Sequence, residues 1–163
     1  MEYAHAAHAL ATLASSFPTV VVDTAAGLDE FTLAAIEQST DLVFVCPPDV
    51  AAVRSLRKEL DALDHLGMTA PRRHLVLNRS DARVGIAPGD VEDVLGMKAS
   101  VSLPSSRAVP FTMNAGTPIV DKDPRSPVAR ALQDLARQFT DSAAPAAAAP
   151  AGAPRRLWRR DAR

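Results

Sequence analysis

Apolar positions along this chain fall into two patterns that alternate. Short apolar runs occur at residues 19–23 (Thr-Val-Val-Val-Asp) and, unbroken, at 42–46 (Leu-Val-Phe-Val-Cys), with a third strand predicted at 74–77 (His-Leu-Val-Leu) and a fourth at 100–103 (Ser-Val-Ser-Leu). Runs of this length, rich in β-branched residues, suit strands buried on both faces of a parallel sheet. Between them lie stretches with helical spacing. Val53, Leu56, Leu60 and Leu63 recur every three or four residues, Asp49 can cap the start, and Gly67 suits the end of a helix reaching about residue 66. Weaker patterns predict helices over 4–15, anchored by Leu10 and Leu13, over 30–38, with Phe31, Ala34 and Ala35 on one side, and over 89–95, ended by Gly96. Ser126 and Pro127 start a last helix with Val128, Leu132, Leu135 and Phe139 as its stripe. Pro47 and Pro48 stop the second run, and Pro104 stops the fourth. Strands separated by helices predict an α/β fold, a parallel sheet flanked by helices.

The pattern ends near Thr140. Residues 143–154 are only Ala, Pro and Gly, the composition of a disordered spacer. They lead to Arg155-Arg156-Leu157-Trp158-Arg159-Arg160. The expected organisation is a folded domain over 1–140 and an Ala/Pro-rich spacer with a basic terminus over 141–163. Several cations beside a Trp could touch anionic lipid or nucleic acid, although one Leu and one Trp bury little area.

Composition narrows the function classes. The 163 residues suffice for one domain with a sizeable core. A formal net charge of -1 gives no global pull toward nucleic acid or membrane. The single cysteine, Cys46, excludes an internal disulfide, fits a reducing compartment, and reads as a small buried hydrophobe. The first residues carry Glu2 and no basic leader, and no apolar run nears the length of a membrane span, so a cytoplasmic location is expected. His5 and His8 have the i, i+3 spacing of metal ligands but no neighbouring Cys or His, which favours a solvated helix face. Asp29 and Glu30 suit the start of a helix, and Asp121 and Asp123 a turn near Pro124.

The candidate chemistry gathers at the ends of the runs. Asp23 closes the first run and is followed by a small, flexible loop through Gly27. Ligands of open α/β sheets bind at the carboxyl ends of parallel strands, and an acid there can hold Mg²⁺ through water. The plain alternative is an Asp that caps a turn. No G-x-x-x-x-G-K-[ST] phosphate loop occurs in the sequence, and none of Lys58, Lys98 and Lys122 follows a glycine-rich turn.

Taken in order, the motifs resemble the C-terminal portion of a MinD/ParA-type ATPase, and most closely the CpaE-like (TadZ-like) branch of Flp-type pilus assembly. The matching stretches are Val20-Val21-Val22-Asp23-Thr24 with Gly27, Val76-Leu77-Asn78-Arg79, Arg83-Val84-Gly85-Ile86, Leu95-Gly96, Pro104-Ser105, Val109-Pro110, Asn114 to Pro118, and the Pro127 helix. The resemblance covers about residues 4–139 and implies a partial Rossmann-like parallel sheet, a P-loop NTPase fold lacking its first strand and phosphate loop. It implies that Asp23 is the Walker B acid and, in a complete site, the Mg²⁺-linked one. Thr24 to Gly27 would form the switch loop, with Ala25-Ala26 where the family often has Pro-Pro. Asn78 and Arg79 would lie beside the base of ATP, with Pro104 and Ser105 bordering the same pocket; an Asn amide offers the donor and acceptor that an adenine edge requires.

The implied cofactors are ATP and Mg²⁺, neither expected to bind this chain tightly by itself, because the phosphate loop and its Lys supply most of the phosphate cradle. The implied partners are a second copy or a separate N-terminal half, and proteins of a pilus or secretion machinery, with the inner face of the membrane within reach of the basic terminus. The phosphate-loop strand of the family lies between the Walker B strand and the next. The runs 20–23 and 42–46 are therefore expected either to pair directly or to leave open edges. Two other readings fit: a non-catalytic interaction or localisation module of the same family, and a receiver-like signalling domain. The second is disfavoured because no paired acids precede the candidate strand and no Lys follows in the expected turn.

Overall fold

Three of the four apolar runs become strands. The structure, a computed structural model, describes residues 3–68, 72–81 and 85–140. Arg83, Val84 and the spacer and basic terminus expected over 141–163 lie outside the described residues. The element order is α1 (Tyr3–Ser16), α2 (Glu30–Glu37), β1 (Asp41–Cys46), α3 (Val50–His65), β2 (Arg72–Asn78), α4 (Pro88–Leu95), β3 (Ala99–Leu103), α5 (Ala108–Asn114), α6 (Ile119–Lys122) and α7 (Pro127–Thr140). The strands form a parallel sheet in the order β1-β2-β3, as the strand–helix alternation predicts.

Local chemistry sets the helix limits. The Asp49 carboxylate accepts the Ala52 N–H at 2.8 Å and starts α3. At its other end the Gly67 N–H bonds Asp64 O and the Met68 N–H bonds Leu63 O, a Schellman ending with Gly67 at φ +66°. Pro88 opens α4, where a missing N–H costs nothing, and Gly96 closes it at φ +67°.

The core lies between the sheet and α3 with α4. Val53, Leu56 and Leu60 of α3, Val91 and Leu95 of α4, Leu75 and Leu77 of β2 and Cys46 of β1 form one buried cluster. Burial matches the expected role of Cys46 as a small hydrophobe and raises its thiol pKa. The opposite face is covered at β3 by α7, where Phe139 meets His74 of β2 edge-on at 4.9 Å. β2 is therefore buried on both faces at Leu75, Val76 and Leu77. β1 is not. Leu42 and Cys46 are buried, while Val43 and Val45 on its other face are 42% and 59% exposed.

Several expectations fail. Residues 19–23 form no strand: the run has no ladder and Val21 is 90% exposed. A strand exists only through a hydrogen-bonded neighbour, and neither β1 nor β3 provides one to this run. Of the two outcomes expected for the runs 20–23 and 42–46, direct pairing is absent and open edges remain. The short helices α5 and α6 escaped the sequence pattern. Pro110 sits in the first turn of α5, where its lack of an N–H is harmless, so it did not mark a break. Asp121, expected in a turn, lies in the single turn of α6, which Asp123 ends. No helix among the described residues is long and apolar enough to cross a membrane.

Candidate functional site

The carboxyl ends of β2 and β3 lie side by side, with Asn78 opposite Leu103 in the ladder. Beyond this pair the two loops are stitched together. The Ser80 N–H donates to Leu103 O at 3.0 Å, and the Ser80 hydroxyl reaches the same oxygen at 3.3 Å. The Asp81 carboxylate accepts the Ser105 N–H at 2.6 Å. Hydrogen bonds from Ser105, backbone first, hold the Asp81 carboxyl below its ordinary pKa. Between Asn78 and this stitch, Arg79 turns the chain off the strand in the left-handed region, at φ +57°, a conformation uncommon for a residue with a side chain.

The result is a cleft of about 500 Å³ lined by Arg79, Ser105, Ser106, Arg107, Val109, Pro110 and Met113. Two guanidinium groups and two hydroxyls stand in it with an apolar wall and no carboxylate, a lining that suits an acceptor-rich, planar or anionic ligand. The Ser106 hydroxyl accepts the Ala108 N–H at 3.2 Å and so links the cleft to the start of α5. Phe111 and Met113 of α5 are 73% and 70% exposed at this end of the molecule.

Of the expected site residues, Arg79 and Ser105 are brought together in the cleft. Asn78 and Pro104 are half-buried, at the end of β2 and just after β3, and are not part of that lining. Asp23, Thr24 and Gly27 are elsewhere. They belong to an irregular segment between α1 and α2, where Asp23 and Thr24 are exposed and Gly27 has φ +96°. Asp23 makes no hydrogen bond or ion pair among the described residues. The nearby Asp29 instead caps α2, taking the Thr32 N–H at 2.7 Å, and that bond lowers its pKa. Sequence reasoning did not single out Arg107, Ser106 or Met113 as site residues. The signal available was the approach of Arg107 to Arg79 across two strand ends, which only the fold reveals.

The chain's own groups fit Mg²⁺ poorly. Among the described residues no three His, Cys, Asp or Glu side chains gather, and His5 and His8 are part of no such group. Mg²⁺ is commonly held by one or two carboxylates with phosphate oxygens and water, so Asp23 alone offers one corner of a site. No lysine stands ready for the phosphates. Lys58 lies in α3, Lys122 in α6, and Lys98 is paired with Glu92 at 2.8 Å.

A second cavity, about 380 Å³, lies at the amino ends of β2 and β3. Each cation around it already has a carboxylate: Arg57 has Asp61 at 2.6 Å, Arg73 has Asp64 at 2.7 Å and Lys98 has Glu92. It offers no unbalanced charge to a ligand, and parallel sheets bind at the opposite end.

No family model matches the chain. In sequence it is 28% identical over 136 residues to a putative septum site-determining protein MinD from Emiliania huxleyi, covering 80% of this chain and 49% of that one. In structure it resembles a ParA family ATPase from Chlorobium tepidum (TM-score 0.77, 21% identity, 83% of this chain and 56% of that one). It also resembles the septum site-determining protein MinD from Pyrococcus horikoshii, solved with Mg-ADP (TM-score 0.74, 20% identity, 86% and 57%). The structural likenesses establish the Rossmann-like α/β fold. With the sequence match they support the MinD/ParA-type P-loop ATPase family. The chain spans about half the length of the relatives it matches.

Proposed function

We propose that this chain is part of a MinD/ParA-like ATPase of the CpaE-like branch, related to the assembly or positioning of a pilus or secretion apparatus. It carries the base side of a nucleotide site and the acid of the magnesium side, lacks the phosphate loop, and is inactive by itself. The observation that supports this is the cleft at the carboxyl ends of β2 and β3, where Arg79 and Ser105 meet on loops fixed by the Asp81–Ser105 bond.

In this reading the nucleotide base enters the cleft. Arg79 and Arg107 supply donors and planar cationic surfaces, the Ser105 and Ser106 hydroxyls adapt to its edge, and Val109, Pro110 and Met113 exclude water. Asn78 orients the base edge, and Pro104 holds the turn that presents Ser105. Mg²⁺ would supply neutralisation of phosphate charge only in a complete phosphate site, toward which this chain would contribute the single acid Asp23. A second copy or a separate N-terminal half would then complete the site.

A titration of the full chain with ATP and Mg²⁺ tests the reading. Calorimetry is expected to show no saturable binding tighter than about 1 mM. Amide NMR is expected to show weak shifts confined to Arg79, Ser105 and Ser106, lost in Arg79→Ala. Micromolar binding overturns the claim of a missing phosphate grip; shifts elsewhere overturn the base-side assignment. A non-catalytic interaction module is the second reading, favoured by the exposure of Phe111 and Met113 beside the cleft. It predicts no nucleotide-dependent shift at all.

A further inference from the structure

The cleft at the carboxyl ends of β2 and β3 carries charge of one sign. Arg79 and Arg107 are both exposed, and neither has an ion pair among the described residues. The cations around the cavity at the other end of these strands are all matched by carboxylates. From residue 99 to residue 120, Arg107 is the only charged side chain. Asp81, the acid nearest to Arg79 in sequence, is bonded to the Ser105 N–H at 2.6 Å and lies outside the lining.

α5 adds an apolar rim to these cations. Thr112 is its one buried residue, and the helix packs on α6. Helical spacing sets Thr112 on one side and Arg107, Pro110, Phe111 and Met113 on the other, where all four are exposed. Phe111 lies one turn after Arg107, so the ring and the cation share that side. Val109, Pro110 and Met113 continue the surface into the cleft. A cover over Phe111 and Met113, 73% and 70% exposed, would take apolar surface out of water.

Charge and shape together say what kind of cover. The rim is apolar with two unmatched cations, so its complement is apolar with carboxylates or phosphates around it. Bilayers and nucleic acids are gripped by runs of Lys and Arg, and two arginines on a chain of net charge -1 give them little hold. A bilayer is also flat, whereas this site is a hollow of about 500 Å³, room for one large side chain. An acidic protein segment fits both features. Exposed ion pairs contribute little by themselves, so apolar burial would supply most of the affinity and the arginines would select sign and orientation. The site also stands ready: bonds from Ser80 and Asp81 fix its two loops, and Met113 adapts its shape to an incoming ring.

We propose that the cleft and the exposed side of α5 form a docking site for an acidic segment of another protein. An aromatic side chain of that segment fills the cleft against Val109, Pro110 and Met113. Carboxylates on either side of it meet Arg79 and Arg107, whose guanidinium forks match a carboxylate in two parallel hydrogen bonds. This rests on the second reading above, the interaction module, and gives that module a class of partner.

The test is fluorescence anisotropy of the full chain with a labelled soluble peptide, Glu-Glu-Trp-Leu-Glu-Glu between Gly-Ser ends. Saturable binding at about 100 μM or tighter is expected at low salt. It is expected to weaken about tenfold or more as salt rises well past physiological strength. A twin with Lys for Glu and a twin with Ser for Trp and Leu are expected not to bind. Arg107→Ala and Phe111→Ser are each expected to weaken binding about tenfold or more without lowering the urea midpoint, because both side chains are exposed. The double variant Arg79→Glu, Arg107→Glu is expected to prefer the Lys twin. The twins decide the matter on the natural chain, whatever the substitutions do to folding. No saturation by about 1 mM overturns the proposal, and so does equal binding of the Lys twin or binding that survives both single substitutions. Stronger retention on phosphatidylserine vesicles or on single-stranded DNA, lost in Phe111→Ser, overturns it too and would identify a lipid or nucleic-acid surface. The interaction reading itself is judged by ATP without peptide: nucleotide-dependent shifts at Arg79 and Ser105 count against it, whereas failure of the peptide alone removes only the acidic partner.

Discussion

At Gly85 the backbone runs at φ +154°, and a Cβ built there would lie 2.3 Å from the Pro48 carbonyl oxygen. The same oxygen accepts the Ile86 N–H at 2.9 Å, so the loop after β2 is drawn tightly onto the end of β1. The contacting atom is backbone and cannot swing aside. Gly85→Ala is expected to destabilise the protein by about 2 kcal/mol or more, read as a lower urea midpoint. Gly89→Ala is the control: its Cβ meets nothing within 4 Å, and within α4 it is expected to be neutral or stabilising by up to about 1 kcal/mol. Asp41 gives a second residue-scale prediction. Burial opposes its ionisation, but hydrogen bonds from His74 and Thr40 and the charge of Arg72 outweigh this and lower its pKa below 3.8. A carboxyl lowered in the folded state stabilises the fold above its unfolded pKa and loses that contribution as pH falls through the folded one. The thermal midpoint is therefore expected to drop steeply below about pH 4, and less steeply in Asp41→Asn, which starts lower at neutral pH. Asp29, Asp81 and Glu92 are lowered too, so part of the slope remains in the variant.

The elements differ in how much each depends on its neighbours. α3 was legible from Asp49 to Gly67 because its cap, its stripe and its ending are all set within a few residues. The Val-Val-Val run carried an equally clear strand signal and yet forms none, because side-chain preference cannot replace a ladder. β1, with the same kind of sequence, is a strand because β2 holds it through six aligned residues. The contrast can be measured by truncation. Leu75→Ala removes a fully buried side chain from the cluster between the sheet, α3 and α4, and is expected to cost about 3 kcal/mol in denaturant unfolding. Val21→Ala, at 90% exposure, is expected to change stability by no more than about 0.5 kcal/mol. A cost at Val21 comparable to that at Leu75 would show that the run is packed in solution. The short helix α5 makes the opposite point, since Pro110 concealed it from the sequence pattern and placed Val109 and Met113 along the cleft.

At the scale of the whole molecule, the best-packed half is β1-α3-β2-α4-β3 with α7, and the cleft opens at its carboxyl end. α1 and α2 pack on each other, carrying Asp23 and Thr24 on the segment between them. The expected site was therefore legible in part. Arg79 and Ser105 were found through the motif order, and the fold brings them together; Asp23, Thr24 and Gly27 were found the same way and lie on a segment outside the sheet. The sequence by itself determined the α/β alternation, the limits of the capped helices and the three strands that pair, because caps, turns and periodicity act over a few residues. Only the tertiary structure decided that the first apolar run stays unpaired and that one face of β1 is bare. It also decided that Arg79 and Arg107 share a cleft with no carboxylate in its lining. Those outcomes depend on which backbone edges and loop ends meet across long stretches of chain, and no local pattern carries that information.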